Sequence, residues 1–456
     1  MPFEPTVEQL AVIDRIGCFL AYKGEAPAVF VMRGYAGTGK TSVIAAIANA
    51  FQEGLPVCLA APTGRAAKVI SGYARREAST IHHLIYRQVS AEYGAHMKLG
   101  YNKLRNALFV VDEASLLTDE GEPVFGSGSL LDDLLEYVYE NGSCKLLVSG
   151  DTAQLPPVMR DFSPALQSDF YKCRGFEVFE ADLSKVLRQN ENSGVLTEAT
   201  RLRGMIASGG MLRLQTHPDV KRISGAEFVE SLEQSYREVG EESAIVITRS
   251  NKMAQYYANG IRSRVLWREE LVSNSDMLMV IKNNYYVGQK NGLDFIANGD
   301  IVEVVRTGKH FEMYGFKFMD VTLRMVDYDR EIDARLLVDS LQVDTPSNMQ
   351  AMNDKLFRAV EEDYADIRNK RVRYQQLRQD PWLNALQVKP AYAVTCHKAQ
   401  GGQWAHVYVD MGRIDRDALD KDTLRWLYTA FTRSSQKLFL INSNDSLFAQ
   451  SSSASR

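Results

Sequence analysis

Gly34-Tyr35-Ala36-Gly37-Thr38-Gly39-Lys40-Thr41 fits the pattern G-x-x-x-x-G-K-[ST] at every fixed position. Glycines there let backbone N–H groups come close to a polyphosphate, and Lys40 sets a point charge on its β- and γ-phosphates. Gly37, Thr38, Gly39, Lys40 and Thr41 are therefore candidate nucleotide-binding residues, and Thr41 offers a hydroxyl to Mg²⁺. A Gly-rich turn with a merely solvated lysine would not need all these positions together with a strand before them and a helix after them.

Phosphoryl transfer from ATP also needs a second metal ligand, a group that orients and deprotonates water, and cations on the developing charge. Asp112 and Glu113 end the apolar run Leu108-Phe109-Val110-Val111. Asp112 suits the outer shell of Mg²⁺, and Glu113 suits the general base, because neighbours at a strand tip diverge to different tasks. Gln154, in Gly150-Asp151-Thr152-Ala153-Gln154-Leu155-Pro156-Pro157-Val158, is a candidate for holding a γ-phosphate or the attacking water; otherwise it is a turn residue before two prolines. Arg188 and Arg433 are the two candidate cations, and on spacing alone either reads equally as a surface arginine. Thr395-Cys396-His397-Lys398-Ala399-Gln400-Gly401-Gly402 ends a strand with donors and glycines, a composition suited to gripping a phosphate backbone. Its histidine has no second ligand at metal spacing.

The elements that must hold these groups alternate in type. Apolar runs at Ala28–Met32, Pro56–Ala61, Leu108–Val111 and Lys145–Gly150 read as buried strands, with helical patterns between them. A second series runs through Ser243–Ser250, Ala391–Thr395, Val407–Asp410 and Lys437–Ile441. Alternation of this kind predicts an α/β fold with parallel sheets, whose ligands lie at the carboxyl ends of the strands, where the polar residues above all fall. From Asp276 to Val343 the texture changes to short β-type runs with Asn298-Gly299 and Thr307-Gly308 turns, which reads as a small β-barrel inserted in the second series. A charged segment with helical spacing follows from Met352 to Gln379; a solvated amphipathic helix accounts for it better than a nucleic-acid contact. Thr6 and Gln9 are spaced as a capping box, and His82 and His83 read equally as residues that start a helix.

With 456 residues and 45% hydrophobic residues, the chain is long enough for more than one well-packed domain. No apolar stretch is long enough to span a bilayer and the first residues do not resemble a signal peptide, so the expected location is cytoplasmic. The five cysteines are scattered without a C-x-x-C pair, which argues against a disulfide framework and a zinc site. A net charge of −4 means that any polyanion must be met by a local basic groove.

In this order the motifs resemble those of superfamily 1 helicases, specifically the RecD-like and phage Dda-like group, over nearly the whole chain. Gln9 matches the Q-motif, Gly34 to Thr41 motif I, Ala61 to Lys68 motif Ia, Thr80 to Leu84 S-T-I-H-x-L, and Val111 to Ser115 D-E-A-S. Gly150 to Val158 matches G-D-x-x-Q-L-P-P-V, Arg188 the motif IV arginine, Thr395 to Gly401 T-x-H-K-x-Q-G, and Leu427 to Arg433 L-Y-x-A-x-T-R. The resemblance implies that Gln9 reads adenine, that Gln154, Arg188 and Arg433 contact the γ-phosphate, and that Gln400, beside Gly401, couples two domains. Thr63, His82, Thr395, His397 and Lys398 would touch single-stranded DNA.

It also implies two RecA-like P-loop NTPase domains, the first at 1–86 and 106–182 with a pin-like insertion at 87–105. The second would span 183–275 and 388–448, with an SH3-like β-barrel at 276–343 and its charged helical extension at 344–387, before a disordered tail at 449–456. Two features depart from the group: the long N-terminal extension of many RecD-like proteins is missing, and the pin stretch offers only Tyr93 as an aromatic wedge. The implied activity is ATP-dependent 5′-to-3′ movement on single-stranded DNA and unwinding of duplex or forked DNA by a monomer. The rivals are an RNA-directed translocase, distinguished by contacts to the 2′-hydroxyl, and a non-motor ATP-regulated clamp, against which Glu113 and two candidate arginines speak. A nuclease subunit lacks a further acidic cluster.

Overall fold

The computed structural model describes residues 4–51, 55–88, 97–120, 126–158, 160–186, 193–210, 212–293, 295–328, 330–343, 345–412, 414 and 419–448. They form two compact units. The first holds the described residues of 1–87, 96–223 and 399–456, and the second those of 88–95 and 224–398.

Six parallel strands form the main sheet of the first unit, in the order Ala78–Thr80, Val57–Ala61, Leu108–Val111, Lys145–Gly150, Ala28–Gly34, Glu177–Leu183. Val29 and Val31 pair with Leu146 and Val148 on one side and with Val178 and Glu180 on the other. Strands with both faces covered must be apolar throughout, as Phe30, Leu108, Val110 and Leu147 are, all within 1% of full burial. Helices Val7–Ala21, Lys40–Ala50 and Gly64–Ala74 supply the covering residues Val12, Ile16, Val43, Ile47 and Ile70. Strand order reverses direction around Ala28–Gly34, which opens a crevice at its carboxyl end, and the glycine-rich loop occupies that position. Three further parallel strands, Trp404–Asp410, Ser434–Ile441 and Val220–Ile223, belong to this unit and register Val407 with Leu438 and Leu438 with Val220. Tyr86–Gln88 and Met97–Leu99 form a short two-stranded ribbon at the base of the expected pin, of which residues 89–96, Tyr93 included, lie outside the described ones.

In the second unit Ala244–Thr248 pairs in parallel with Ala393–Thr395. The β-rich stretch folds as a five-stranded antiparallel sheet in the order Arg330–Leu337, Phe316–Met325, Ile301–Met313, Met277–Val280, Val388–Pro390, the last strand coming from beyond the charged segment. Its longest hairpin turns at Tyr314 and Gly315, both at positive φ, as a tight two-residue turn requires. The charged segment divides into two helices, Pro346–Asp363 and Lys370–Arg378, where the sequence reading saw one periodic run. Leu356, Val360 and Leu377 pack with Phe316 and Phe318, so its apolar stripe covers the sheet while its charges face solvent. Asp276 anchors the sheet: fully buried, it accepts from Arg262 at 3.0 and 2.8 Å, from Arg268 at 3.1 Å, from Tyr392 Oη at 3.1 Å and from the Ser273 N–H at 2.8 Å. No helix among the described residues is long and apolar enough to cross a membrane.

Candidate nucleotide site

The glycine-rich loop is shaped to leave donors free. Gly39, at φ 84°, is the N-cap of the helix Lys40–Ala50 and offers no side chain to the first-turn N–H groups. Elsewhere in this unit Thr6, Thr63 and Thr80 cap their helices with hydroxyls, so the bare start at Gly39 leaves the N–H cluster and its dipole to an anion. Lys40 Nζ donates to the carbonyls of Gly34 and Tyr35 at 2.7 and 3.1 Å, which lays its charge along the loop. Thr38 Oγ1 closes the turn onto the Tyr35 carbonyl at 2.8 Å.

Thr41 Oγ1 donates to Asp112 Oδ2 at 3.1 Å, bringing together the two residues expected to share a metal. Their oxygens suit a hard cation such as Mg²⁺, which takes few protein ligands; among the described residues no group of three or more His, Cys, Asp or Glu is placed to hold a metal. Glu113 adopts φ 54°, a left-handed conformation unusual for a residue with a side chain. Its Oε2 is buried and has no hydrogen-bond partner among the described residues, and neither does Oε1 of buried Gln154. Asp112 and Asp151 are also buried, and burial pushes both carboxyls above the usual range while nearby Lys40 opposes the shift. Glu113 adds to the rise at Asp112 by like-charge repulsion. Unpartnered oxygens and raised carboxyls gathered round a lysine mark a site where a ligand completes the hydrogen bonding.

Gln9 does two things. Its Oε1 accepts the Thr6 N–H at 3.0 Å in the expected capping box, and its Nε2 donates to the Thr38 carbonyl at 3.3 Å, which ties the first helix to the loop. Gln400 Nε2 donates to the Leu155 carbonyl at 2.7 Å, one residue beyond Gln154. Gly401, at φ 73°, lies against the N-terminus of the helix Gly64–Ala74; a Cβ there would stand 2.9 Å from Thr63 Oγ1, which already accepts the Ala66 N–H. Arg65 stacks its guanidinium 4.0 Å above the Trp404 ring beside it. Arg433 is buried, and its guanidinium donates to the carbonyls of Thr429 and Gly402 at 3.1 and 3.2 Å and to Thr432 Oγ1 at 3.3 Å. These bonds hold it at the end of its own helix and none goes to the glycine-rich loop. Arg188 lies outside the described residues. His82 is half-buried 5.7 Å from the Tyr86 ring, and burial, then His83, pushes its imidazole down to about 4. In the second unit Thr395 ends its strand, half-buried, with His397 and Lys398 exposed just after it.

Three residues near the loop are not among the candidate site residues read from the sequence above. Tyr428, inside the motif ending at Arg433, accepts the Ala36 N–H at 3.0 Å and donates to Asp151 Oδ2 at 2.6 Å. Arg203 stacks 4.3 Å above the Tyr35 ring, and Leu196 would lie 3.1 Å from a Cβ on Gly37. Both come from the helix Gly194–Ser208, which lies against the loop. For Tyr428 the signal was its position in a quoted motif; for Arg203 and Leu196 the chain carries none, since they are more than 150 residues away from the loop.

Residues 20–223 match a family described as AAA domain, and residues 390–441 match the UvrD-like helicase C-terminal domain. The chain is similar to an uncharacterized protein, R530, of Acanthamoeba polyphaga mimivirus, at 23% identity over 90% of this chain and 94% of that protein. It is 34% identical to the ATP-dependent RecD2 DNA helicase of Deinococcus radiodurans over 155 residues, 33% of this chain but 18% of that much longer protein. Among solved structures it resembles a Pif1 helicase from Bacteroides in complex with ADP-AlF3 and single-stranded DNA, with a TM-score of 0.52, 15% identity, and coverage of 98% of this chain and 95% of that one. This last likeness is one of fold, the mixed α/β RecA-like type with parallel sheets.

Proposed function

We propose that the chain is a superfamily 1 helicase of the RecD-like and Pif1 group, an ATP-dependent DNA helicase that translocates 5′ to 3′ on single-stranded DNA and unwinds forked duplex; the AAA-domain and UvrD-like helicase C-terminal matches and the partial likeness to RecD2 support this reading. What carries the reading is one local arrangement: the 3.1 Å contact of Thr41 with Asp112, and Glu113 next to it with an unpartnered buried oxygen.

In this reading Lys40 exchanges its two carbonyl partners for phosphate oxygens, and the uncapped N–H groups after Gly39 take the remaining charge. Thr41 and Asp112 would hold Mg²⁺, which neutralises charge on the β- and γ-phosphates. Glu113 accepts the proton of the attacking water, and Gln154 Oε1 orients that water. Arg433 and Arg188 are the cations for the transition state; Arg433 must first release the carbonyls it now binds, which makes its arrival depend on a movement. Gln9 reads the base. Thr63, His82, Thr395, His397 and Lys398 meet the strand, and Gln400 links strand grip to the segment that carries Gln154. The antiparallel sheet of the second unit is the SH3-like insertion, the Tyr86–Leu99 ribbon is the base of the pin, and one chain acts as a monomer.

The test is ATP turnover with and without single-stranded DNA, followed by unwinding of forks with separate 5′ and 3′ tails in DNA and RNA versions. DNA should raise turnover at least tenfold, Lys40→Ala should abolish it, and only the 5′-tailed DNA fork should open. A rate indifferent to DNA favours the clamp, and equal or better opening of RNA favours the RNA-directed translocase.

A further inference from the structure

Tyr428 sits on the helix Lys421–Phe431 with 1% of its surface exposed. A phenol hydroxyl has one proton to give, and here Asp151 Oδ2 takes it at 2.6 Å while the Ala36 N–H fills an oxygen lone pair at 3.0 Å. Asp151, also 1% exposed, uses its other oxygen for the Ala153 N–H at 2.9 Å. The next residue on the helix, Thr429, accepts the Leu155 N–H at 2.8 Å. One turn of helix therefore grips both the glycine-rich loop, through Ala36, and the segment 151–155 that carries Gln154. A 2.6 Å hydrogen bond shielded from water is stronger than the same bond in solvent, so this contact is a firm one.

We propose that Tyr428 is a positioning residue that couples the phosphate loop to Gln154: its hydroxyl reports the state of the Ala36 N–H to Asp151, and so to the turn that aims Gln154. Ala36 belongs to a loop whose N–H groups are its phosphate donors, so polyphosphate and the Tyr428 oxygen act on the same short stretch of backbone. A shift of Ala36 toward phosphate weakens its hold on Tyr428, and Asp151 and the turn after it respond through the one proton they share with that hydroxyl. The inference rests on the ATPase reading above and assigns Tyr428 no contact with the reacting atoms. Burial, and then Asp151, hold the phenol well above its ordinary pKa, so the hydroxyl stays protonated at physiological pH.

Tyr428→Phe keeps the ring and removes the relay. With saturating single-stranded DNA it should lower kcat for ATP tenfold or more and leave KM within twofold, with the melting temperature monitored as a check of folding. Asp151→Asn, which replaces one of the two oxygens that accept from Tyr428 and Ala153 with a donating NH2, should act in the same way and carries the test if the first variant fails to fold. The double variant should be no slower than the slower single one, because both break a single linkage. A kcat within twofold of wild type in a folded variant overturns the proposal; so does a rise in KM that accounts for the loss, or effects that multiply in the double variant. If the unaltered protein does not hydrolyse ATP, the ATPase reading fails instead, and the inference falls with it.

Discussion

Two groups of buried carboxylates, one in each unit, are handled in opposite ways. In the second unit Asp276 is fully buried and saturated: two arginines, a tyrosine and a backbone N–H all donate to it. In the first, Asp112 and Asp151 are raised by burial, and Glu113 and Gln154 keep oxygens with no partner among the described residues. A chain able to neutralise Asp276 so completely shows that the open valences around Lys40 are not a failure of packing. Saturation suits a structural role, whereas an uncompensated buried polar group costs about 1–3 kcal/mol, and where several gather round one lysine a ligand that completes them offsets that cost.

The contrast breaks most sharply at Glu113. Glu113→Gln preserves shape and the left-handed backbone but removes the proposed base, so turnover should fall about 100-fold or more while nucleotide still binds; equilibrium nucleotide binding beside steady-state turnover checks both halves. Its melting temperature should not fall, because the unpartnered Oε2 makes no bond for the substitution to break. Asp276→Ala reverses that pattern. It strands Arg262 and Arg268, and breaking a buried pair costs about 3–5 kcal/mol. For a unit of this size the loss lowers the melting temperature by roughly 6–20 °C, read by calorimetry, with the second unit unfolding first. If Glu113→Gln destabilised and Asp276→Ala did not, the distinction would be lost.

How much of this was legible beforehand follows the same division. The loop, the meeting of Thr41 with Asp112 and the strands behind them were readable because each is local: Ala28–Gly34, Leu108–Val111 and Lys145–Gly150 are continuous apolar runs with polar residues at their ends. The edge strand Glu177–Leu183 was not, because a half-exposed strand carries no continuous apolar signal; neither was Val220–Ile223, four residues long with Lys221 and Arg222 exposed. Tyr428, Asp151 and Arg203 reach the loop only through tertiary packing. The capping box at Thr6 and Gln9 was read from spacing, but the second bond of Gln9, to Thr38, lies 29 residues away and no periodicity reports it. The division of the charged segment at Tyr364 was also hidden, since its apolar spacing continues through the break.

Asp300 refines the contrast by a smaller effect. It is buried beside Asp327 and accepts the Ala297 N–H at 2.8 Å, and burial raises its carboxyl from 3.8 to about 7. No arginine compensates it among the described hydrogen bonds, so it resembles the site's carboxylates in energetics while sitting in the saturated unit. A carboxyl raised on folding contributes stability that is fully present below its unfolded pKa and is lost as pH climbs through the folded value. Asp300→Asn keeps an acceptor for Ala297 and carries no charge. Its advantage over the native residue should therefore grow between pH 4 and pH 7, level off above, and reach about 2 kcal/mol or more at pH 8. Denaturant melts of both proteins across that range measure it. An advantage that does not vary with pH would mean that water or a cation compensates Asp300, and would move it into the saturated class with Asp276.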